Sequence, residues 1–592
     1  MISEQIDPGN KQNPDYSKAV AMMFVMAAIF FLWGIWWGWP TSFDQHDPTP
    51  RAIKMLWNRT FDSGVRYWGA FGYQEILLFS VIPVTAVKKF FGLDPELSTA
   101  LMYFMTRLLW ALHGFGIVAL SWVTSLTLLE DKRAALLAAA MVALSPGLIA
   151  WAHISQVDIA HAFWYSLAVT LTAVGWRRSS FRWLWFAAIA AGLTAGVKYI
   201  GGVVVLAPML AVYLRYPGWK ASLYALLLMV SALLIFFITT PLASGAPLQW
   251  AAEYLADVLA NQHRETDHPL ALWTMPGAIW DLLGPGVALL ILTSVLLLLL
   301  ARSKRYASKD VWLLTGAFFI PYYLTLSWQH VATVRYVLPL ISVLAVVGGY
   351  ALSRVLDLKY FHRGIVFATG CAAIANLTLV IALLSGFGSD TRVRLAAWLE
   401  EHTQEGDTVE TLLNHRPYFV ASTPFETKPR PHFQAETAEM KRRIEADDSS
   451  MVYRLQNIFA GWAGLDAMTL MTWVDKERAW LAKRAIAYDT GPQGPLSRGS
   501  RYVVVNLNTA HFYVLDWPGV DPLSPGEKDF FLSVLRETGP FRLRARFDPL
   551  VPEWLRYPRE LWFNISPPVE VYEVMGTASE RNIQNTTINL YE

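Results

Sequence analysis

The chain has 592 residues, of which 54% are hydrophobic and 16% charged, and its 49 basic and 47 acidic side chains leave a formal net charge of +2. Ordinary soluble domains carry roughly 25% charged residues, so the composition excludes a typical soluble protein. The balanced charge offers no basic surface for nucleic acid. A single cysteine, Cys371, sits in an apolar run, which excludes a disulfide framework and a cysteine metal site.

Several apolar runs reach the roughly 18–20 residues that a helix needs to cross a bilayer. The first, "AMMFVMAAIFFLWGIWWGW", is followed by "PTSF" rather than a small-residue cleavage pattern and is read as a retained span. Eleven spans are predicted, near 19–37, 101–128, 134–151, 157–175, 183–197, 200–214, 221–240, 284–301, 311–327, 336–353 and 364–386. The fold expected is a polytopic α-helical membrane protein with a C-terminal extracytoplasmic α/β domain. Residues 1–18 form a cytoplasmic tail, 19–386 the membrane domain with an outer loop at 38–100, and 387–592 the outer domain.

Orientation follows from the short loops. With the N-terminus inside, the inner connections collect Lys132, Arg133, Arg177, Arg178, Arg302, Lys304 and Arg354 among others, whereas the outer segments after the second span hold Lys198, Arg264 and Arg335. Residues 183–214 read either as two short spans or as one helix broken at Gly201 and Gly202. A single span would reverse the sidedness of everything after it, against the Lys/Arg pattern. Beyond residue 387, "DTRVRLAAWLEEH" has the pattern of an amphipathic helix. Strand character recurs at 501–507, 541–547 and 569–574, and Ser524 is expected to cap a helix. The segment 421–450 is polar and loop-like.

Charged groups are costly at membrane depth, so those at the outer ends of spans are functional candidates. Four groups fall on that side: Asp44, His46 and Asp47 after the first span; His153, Gln156 and Asp158 in "AWAHISQVDIAHAFW"; Lys198 and Tyr199 in "AGVKYIGG"; His330 and Arg335 in "SWQHVATVRYVLPL". Carboxylates and cations at one membrane face suit a reaction on a lipid phosphate: a carboxylate deprotonates an attacking hydroxyl and cations hold the departing phosphate. Each has a structural alternative. Asp44 and Asp47 are placed to cap the Pro-led helix "PTPRAIKMLWNR", and Asp158 to cap a helix or pair with a cation. Lys198 and Arg335 are long enough to snorkel. His113 and His161 read as satisfied interior histidines. "NQHRETDH" (261–268) holds ligand-type side chains in a spacing that fits no zinc pattern, so no metal site is assigned and no cofactor is required, although the chemistry leaves room for a divalent metal.

Taken together, the order of "FDQHDP", "YWGAFGYQEILLFSVIP", "MTRLLWAL", "LSPGLIAWAHISQVDIAHAFW", "AGLTAGVKYIGGVVVLAP" and "HVATVRYVLPLISVLA" resembles the polytopic glycosyltransferases of the C-type fold (GT-C). The resemblance is to family 39, which includes protein O-mannosyltransferases and aminoarabinose transferases. It implies inverting transfer of a hexose or mannose-like sugar from a polyprenyl-phosphate carrier to a hydroxyl of a protein, lipid or glycan acceptor, on the outer face of the inner or plasma membrane. It implies that a first-loop acid is the base: Asp47 matches best, lying 25 residues before Gly72, with Asp44 as the second choice. Pro48 stands where the family's usual Asp-Glu pair has its glutamate. By the same resemblance Asp158 is the second acidic position, orienting the acceptor or the base. Lys198, Arg335 and Arg107 hold the donor phosphate, and His46, His153, Tyr199 and His330 contact donor or acceptor. The rival readings are a membrane transporter, which predicts polar groups near mid-membrane and repeated halves, and a non-catalytic protein retaining the same fold.

Overall fold

Alanine and glycine decide how closely the helices of this protein approach one another. In the computed structural model, which describes residues 16–36, 48–64, 69–154, 156–248, 250–251, 254, 270–300, 307–327, 333–358, 362–403, 408–411, 426–429, 494–497, 500–507, 531–558, 562 and 565–575, the expected polytopic helical architecture is present. Five described helices are long and apolar enough to cross a membrane, or up to seven if each of two bent pairs is one span. Helix α1 is Ser17–Leu32, and α2 (Pro48–Trp57), α3 (Phe71–Ile76) and α4 (Ile82–Phe91) lie within the segment read as the first outer loop. Then follow α5 (Pro95–Leu129), α6 (Lys132–Ala143), α7 (Pro146–His153), α8 (Asp158–Arg177), α9 (Phe181–Val197), α10 (Leu206–Arg215) and α11 (Trp219–Thr239). The inward face of α6 is Ala134, Ala135, Ala138 and Ala139, and a Cβ on Gly349 of the helix Ile341–Val355 would meet the Ala134 carbonyl at 2.4 Å. Without a hydrophobic driving force inside lipid, such small-residue contacts let backbones pack closely enough for dispersion to hold them. By contrast α11 leaves Leu226, Leu227, Val230, Leu233 and Leu234 exposed, a surface suited to acyl chains.

Two spans are not continuous. The run read as a span at 134–151 bends by 53° between α6 and α7, and Ala271–Leu283 turns through 114° into Pro285–Leu300. The helix Ala271–Leu283 was read as part of an outer loop, and its apolar character continues across the bend. Both breaks precede a proline, Pro146 or Pro285, whose missing N–H suits a helix start. Breaking a helix in a membrane leaves backbone groups unmet, and one side chain meets four of them. Asn376, on the helix His362–Gly388, donates from Nδ2 to the carbonyls of Leu144 (3.0 Å) and Leu283 (2.6 Å). Its Oδ1 accepts from Gly286 N–H (3.1 Å) and Val287 N–H (3.3 Å). Gly284 has φ +80°, and a Cβ there would lie 2.6 Å from Asn376 Nδ2, so glycine is required twice over. Ser145 completes the node by donating to Leu282 O at 2.5 Å while capping α7 through Leu148 N–H.

The C-terminal part is a mixed sheet of β1 (Thr408–Thr411), β2 (Glu426–Pro429), β3 (Ser500–Asn506), β4 (Phe541–Phe547) and β5 (Val569–Val574), in the order β2-β1-β3-β5-β4. β1 pairs in parallel with β2 and β3, and β5 runs antiparallel to β3 and β4. Three strands thus fall where strand character was expected, and the amphipathic helix is found at Thr391–His402. β3 is buried on both faces: Tyr502 and Val504 pack with Leu395 and Leu399, and Val503 and Val505 pack with Phe531 and Val534. Ser524 and most of 421–450 lie outside the described residues.

The segment after β4 grips the membrane helices. Trp562 sits where a Cβ on Gly386 would be, 2.3 Å from its ring, and Tyr557 Oη lies 2.7 Å from Asp281 Oδ1 and 3.0 Å from Trp280 O. Burial, and then the bond to Asp281, raise the Tyr557 phenol above its ordinary range, so it remains a donor. Tyr557→Phe should therefore cost about 1.5–3 kcal/mol, the usual worth of a hydrogen bond to a charged group, read as a lower thermal midpoint in detergent.

Candidate functional site

Helix α9 ends at Val197 because Lys198 is extended (φ −142°, ψ 124°), and the chain resumes as a 3-10 turn, Tyr199–Val205. The break thus falls at Lys198, three residues before the glycines at which the sequence suggested it. Those glycines serve packing instead: a Cβ on Gly201 would come within 2.3 Å of His161 Nε2. The first outer segment closes onto the same break, with Gly69 N–H donating to Val197 O at 3.1 Å. A Cβ on Gly69 would meet Gly196 O at 1.8 Å.

At this break Lys198 Nζ donates to Asp158 Oδ1. Both residues are buried, Asp158 at 0% and Lys198 at 5% exposure, so the lysine does not snorkel. Asp158 stands in the first turn of α8, where the helix dipole favours its charge, yet its side chain caps nothing: the N-cap is Val157, with no side-chain bond. Of the two structural alternatives for Asp158, the cation pair is the one realised. Its second oxygen, Oδ2, is buried without a partner among the described residues.

Arg335 joins this pair through Tyr336. Lys198 Nζ is 5.3 Å and Arg335 Cζ 4.8 Å from the centroid of the Tyr336 ring, and Arg335 Nη2 donates to Tyr336 Oη at 3.1 Å. The Tyr336 backbone is fixed in turn, since its carbonyl accepts from Tyr322 Oη at 2.8 Å. Two cations therefore share one tyrosine, which the sequence reading did not single out, and Asp158 joins them through Lys198. Beside them Tyr199 accepts from Trp250 Nε1 (3.2 Å) and packs edge-on against Trp250 and Tyr254, both 4.9 Å away. The i, i+4 spacing of Trp250 and Tyr254 was the available signal for that cluster.

Arg107 and His153 form a different group, at the exit of α1. Arg107 Nη1 lies 3.5 Å from Ile35 O, and His153 Nε2 lies 2.9 Å from Trp33 O with Nδ1 2.8 Å from Ile149 O. Both satisfy carbonyls where α1 ends, a capping task that helix ends need in a membrane, and they anchor the chain that leads to Asp44 and Asp47. Asp44, His46, Asp47 and His330, with the run 261–268, lie outside the described residues.

Glu75, within "FGYQE", was missed; an acid inside an apolar run was the signal. Its Oε1 accepts from Trp164 Nε1 at 3.0 Å and lies 3.2 Å from His113 Nε2, while Oε2 is buried without a partner among the described residues. His113 Nδ1 lies 2.7 Å from Leu109 O, so both its ring nitrogens are engaged, as expected of an interior histidine. His161 departs from that expectation: its Nε2 is buried and has no partner among the described residues. Among the described residues no group of three or more His, Cys, Asp or Glu side chains is arranged to hold a metal ion.

Residues 21–251 match the family model described as dolichyl-phosphate-mannose-protein mannosyltransferase, which bears out over that stretch the resemblance to family 39. The matched stretch includes Asp44, Asp47, Arg107, Asp158 and Lys198 and stops before Arg335. No curated protein sequence matches the chain. Among solved structures, ArnT from Cupriavidus metallidurans bound to undecaprenyl phosphate is 12% identical, with 94% of this chain and 98% of that chain covered and a TM-score of 0.45. The archaeal oligosaccharyltransferase AglB from Archaeoglobus fulgidus, in complex with an inhibitory peptide and a dolichol-phosphate, is 13% identical over 95% of this chain and 89% of that one, with a TM-score of 0.46. Arabinosyltransferase EmbB from Mycobacterium smegmatis is 12% identical over 69% and 34%, with a TM-score of 0.37.

Proposed function

We infer that the family match over residues 21–251 extends to activity, and that this chain is a membrane glycosyltransferase of the C-type fold, moving a sugar from a polyprenyl-phosphate carrier to an acceptor hydroxyl. The observation that carries the reading is the buried Asp158–Lys198 pair, joined to Arg335 across Tyr336 at a helix break. The Lys/Arg distribution supports a cytoplasmic N-terminus and puts this break, with the C-terminal sheet, on the extracytoplasmic side.

The charge changes of the reaction explain why cations belong there. The acceptor oxygen bonds to the anomeric carbon as the bond from that carbon to the phosphate oxygen breaks, with inversion, and the acceptor proton passes to a carboxylate. The carrier enters as a phosphodiester monoanion and leaves as a phosphate monoester, so negative charge on phosphate grows toward the transition state. Lys198 and Arg335 act on that growing charge, and interactions stronger in the transition state than in the ground state accelerate the step. Asp47 is the base in this scheme, with Asp44 as the alternative, and Asp158 holds Lys198 in place through Oδ1. Arg107 supports the donor side from the exit of α1.

Transfer of radiolabelled sugar by the purified protein from a panel of polyprenyl-phosphate sugars tests this. Asp47→Asn should lower kcat by about 10²–10⁴-fold, the usual worth of a general base, and Asp44→Asn by much less. Transfer surviving both substitutions removes the base assignment, and no transfer from any donor supports the transporter or non-catalytic reading.

A further inference from the structure

Asp158 and His161 stand one turn apart on α8, so their side chains share a face of the helix. Each ends in a buried polar atom with no partner among the described residues, Asp158 Oδ2 and His161 Nε2, in residues only 0% and 1% exposed. Leaving such a group unmet is costly, and a core selected only for stability would place apolar side chains at both positions. The surroundings are shaped to keep the imidazole instead. Gly201 provides the space that its ring occupies. The Lys198 charge acts on it, and the Tyr322 ring lies 6.0 Å away, tilted by 40°. An acceptor oxygen and an imidazole nitrogen, one turn apart on α8 beside an ammonium and an aromatic ring, are the two kinds of atom that one hydroxyl bonds when it donates to Asp158 Oδ2 and accepts from His161 Nε2–H.

We propose that Asp158 Oδ2 and His161 Nε2 together hold one hydroxyl group of the transferred sugar, making His161 a residue that selects the sugar. The inference rests on the glycosyltransferase reading above. It assigns a sugar hydroxyl to these two atoms, for which a trapped water is the competing partner.

The test compares transfer from polyprenyl-phosphate mannose and its 2-, 3-, 4- and 6-deoxy analogues by the wild type, His161→Phe and His161→Gln. A site built to bond a hydroxyl strongly rejects the analogue lacking it, so the wild type should disfavour one deoxy sugar by at least about a hundredfold in kcat/KM. His161→Phe should lose most of that preference, with its activity on the disfavoured deoxy sugar nearly unchanged. His161→Gln, whose amide N–H reaches the position of the imidazole Nε2, should restore part of it. The thermal midpoint of His161→Phe should stay at or above the wild-type value, since an unmet polar atom has been removed. Equal tolerance of all deoxy analogues by the wild type overturns the proposal, as does a His161→Phe variant that loses activity evenly on all sugars or keeps full selectivity, the pattern of a bound water. Failure of the glycosyltransferase reading is distinct: the wild type itself then transfers nothing from any donor, and the proposal falls with it.

Discussion

Lys198→Met is expected to destabilise the protein by about 3–5 kcal/mol, the cost of leaving one member of a buried ion pair without its partner. Asp158 is fully buried and its Oδ1 accepts from Lys198, so removal of the ammonium strands a carboxylate that only the helix dipole still favours. The double variant Asp158→Asn with Lys198→Met should regain most of the loss, because neutral groups of similar volume replace a desolvated pair at little net cost. Equilibrium unfolding in mixed micelles reads both values. Transfer activity separates a structural pair from a functional one. If Lys198 meets the departing phosphate, the double variant stays at least about 10²-fold below the wild type although its stability has returned. Recovery of activity together with stability would reduce the pair to a packing element.

Asn376→Leu carries the second large effect. It removes four hydrogen bonds at once and leaves the carbonyls of Leu144 and Leu283 and the amides of Gly286 and Val287 unmet. At about 1–3 kcal/mol for each stranded group, the loss should reach about 4 kcal/mol or more. Asn376→Asp keeps the two accepted bonds and loses the two donated ones, so it should fall between Leu and wild type in thermal unfolding. Activity should fall with stability here, because the node joins both sides of the site. From Ser145 the chain runs through α7 to Asp158. A Cβ on Gly147 would touch both Leu282 and the Val334 side chain, and Val334 immediately precedes Arg335. Equal stability of Asn376→Leu and wild type would show that the broken ends find other partners.

The pairing of distant segments was partly legible. Asp158, Lys198 and Arg335 stood out because a charge at the end of an apolar run needs a reason to be there, and the structure brings the three together around Tyr336. Tyr336 itself gave no such signal: an aromatic side chain at a span end is ordinary, and its importance lies in what touches its ring. The break at "LSPG" escaped notice because apolar windows register composition and not continuity, while the break at "LGPG" coincides with the span expected from 284 and only the helix before it was missed. Whether a buried group has a partner is a property of tertiary contact, so His113 and His161 looked alike in sequence and differ in the fold. The sheet was easier. Alternation marked β4 and β5 and a β-branched run marked β3, whereas β1 and β2 are four residues each, too short for a period to show.

Asn376 also orders events during synthesis. A membrane protein emerges from the ribosome from its N-terminal end, and the bends after Ala143 and Leu283 reach the bilayer well before residue 376 does. Until then four backbone groups in apolar surroundings lack the partner that the finished protein gives them, and both bends persist only with water or neighbouring lipid headgroups in that role. The expected outcome is that the earlier spans enter the membrane as provisional pieces and lock into their bent form when the helix His362–Gly388 arrives. A nascent chain halted before residue 376 should stay open to water at both bends, and one halted just after the helix has cleared the ribosome should already be closed there.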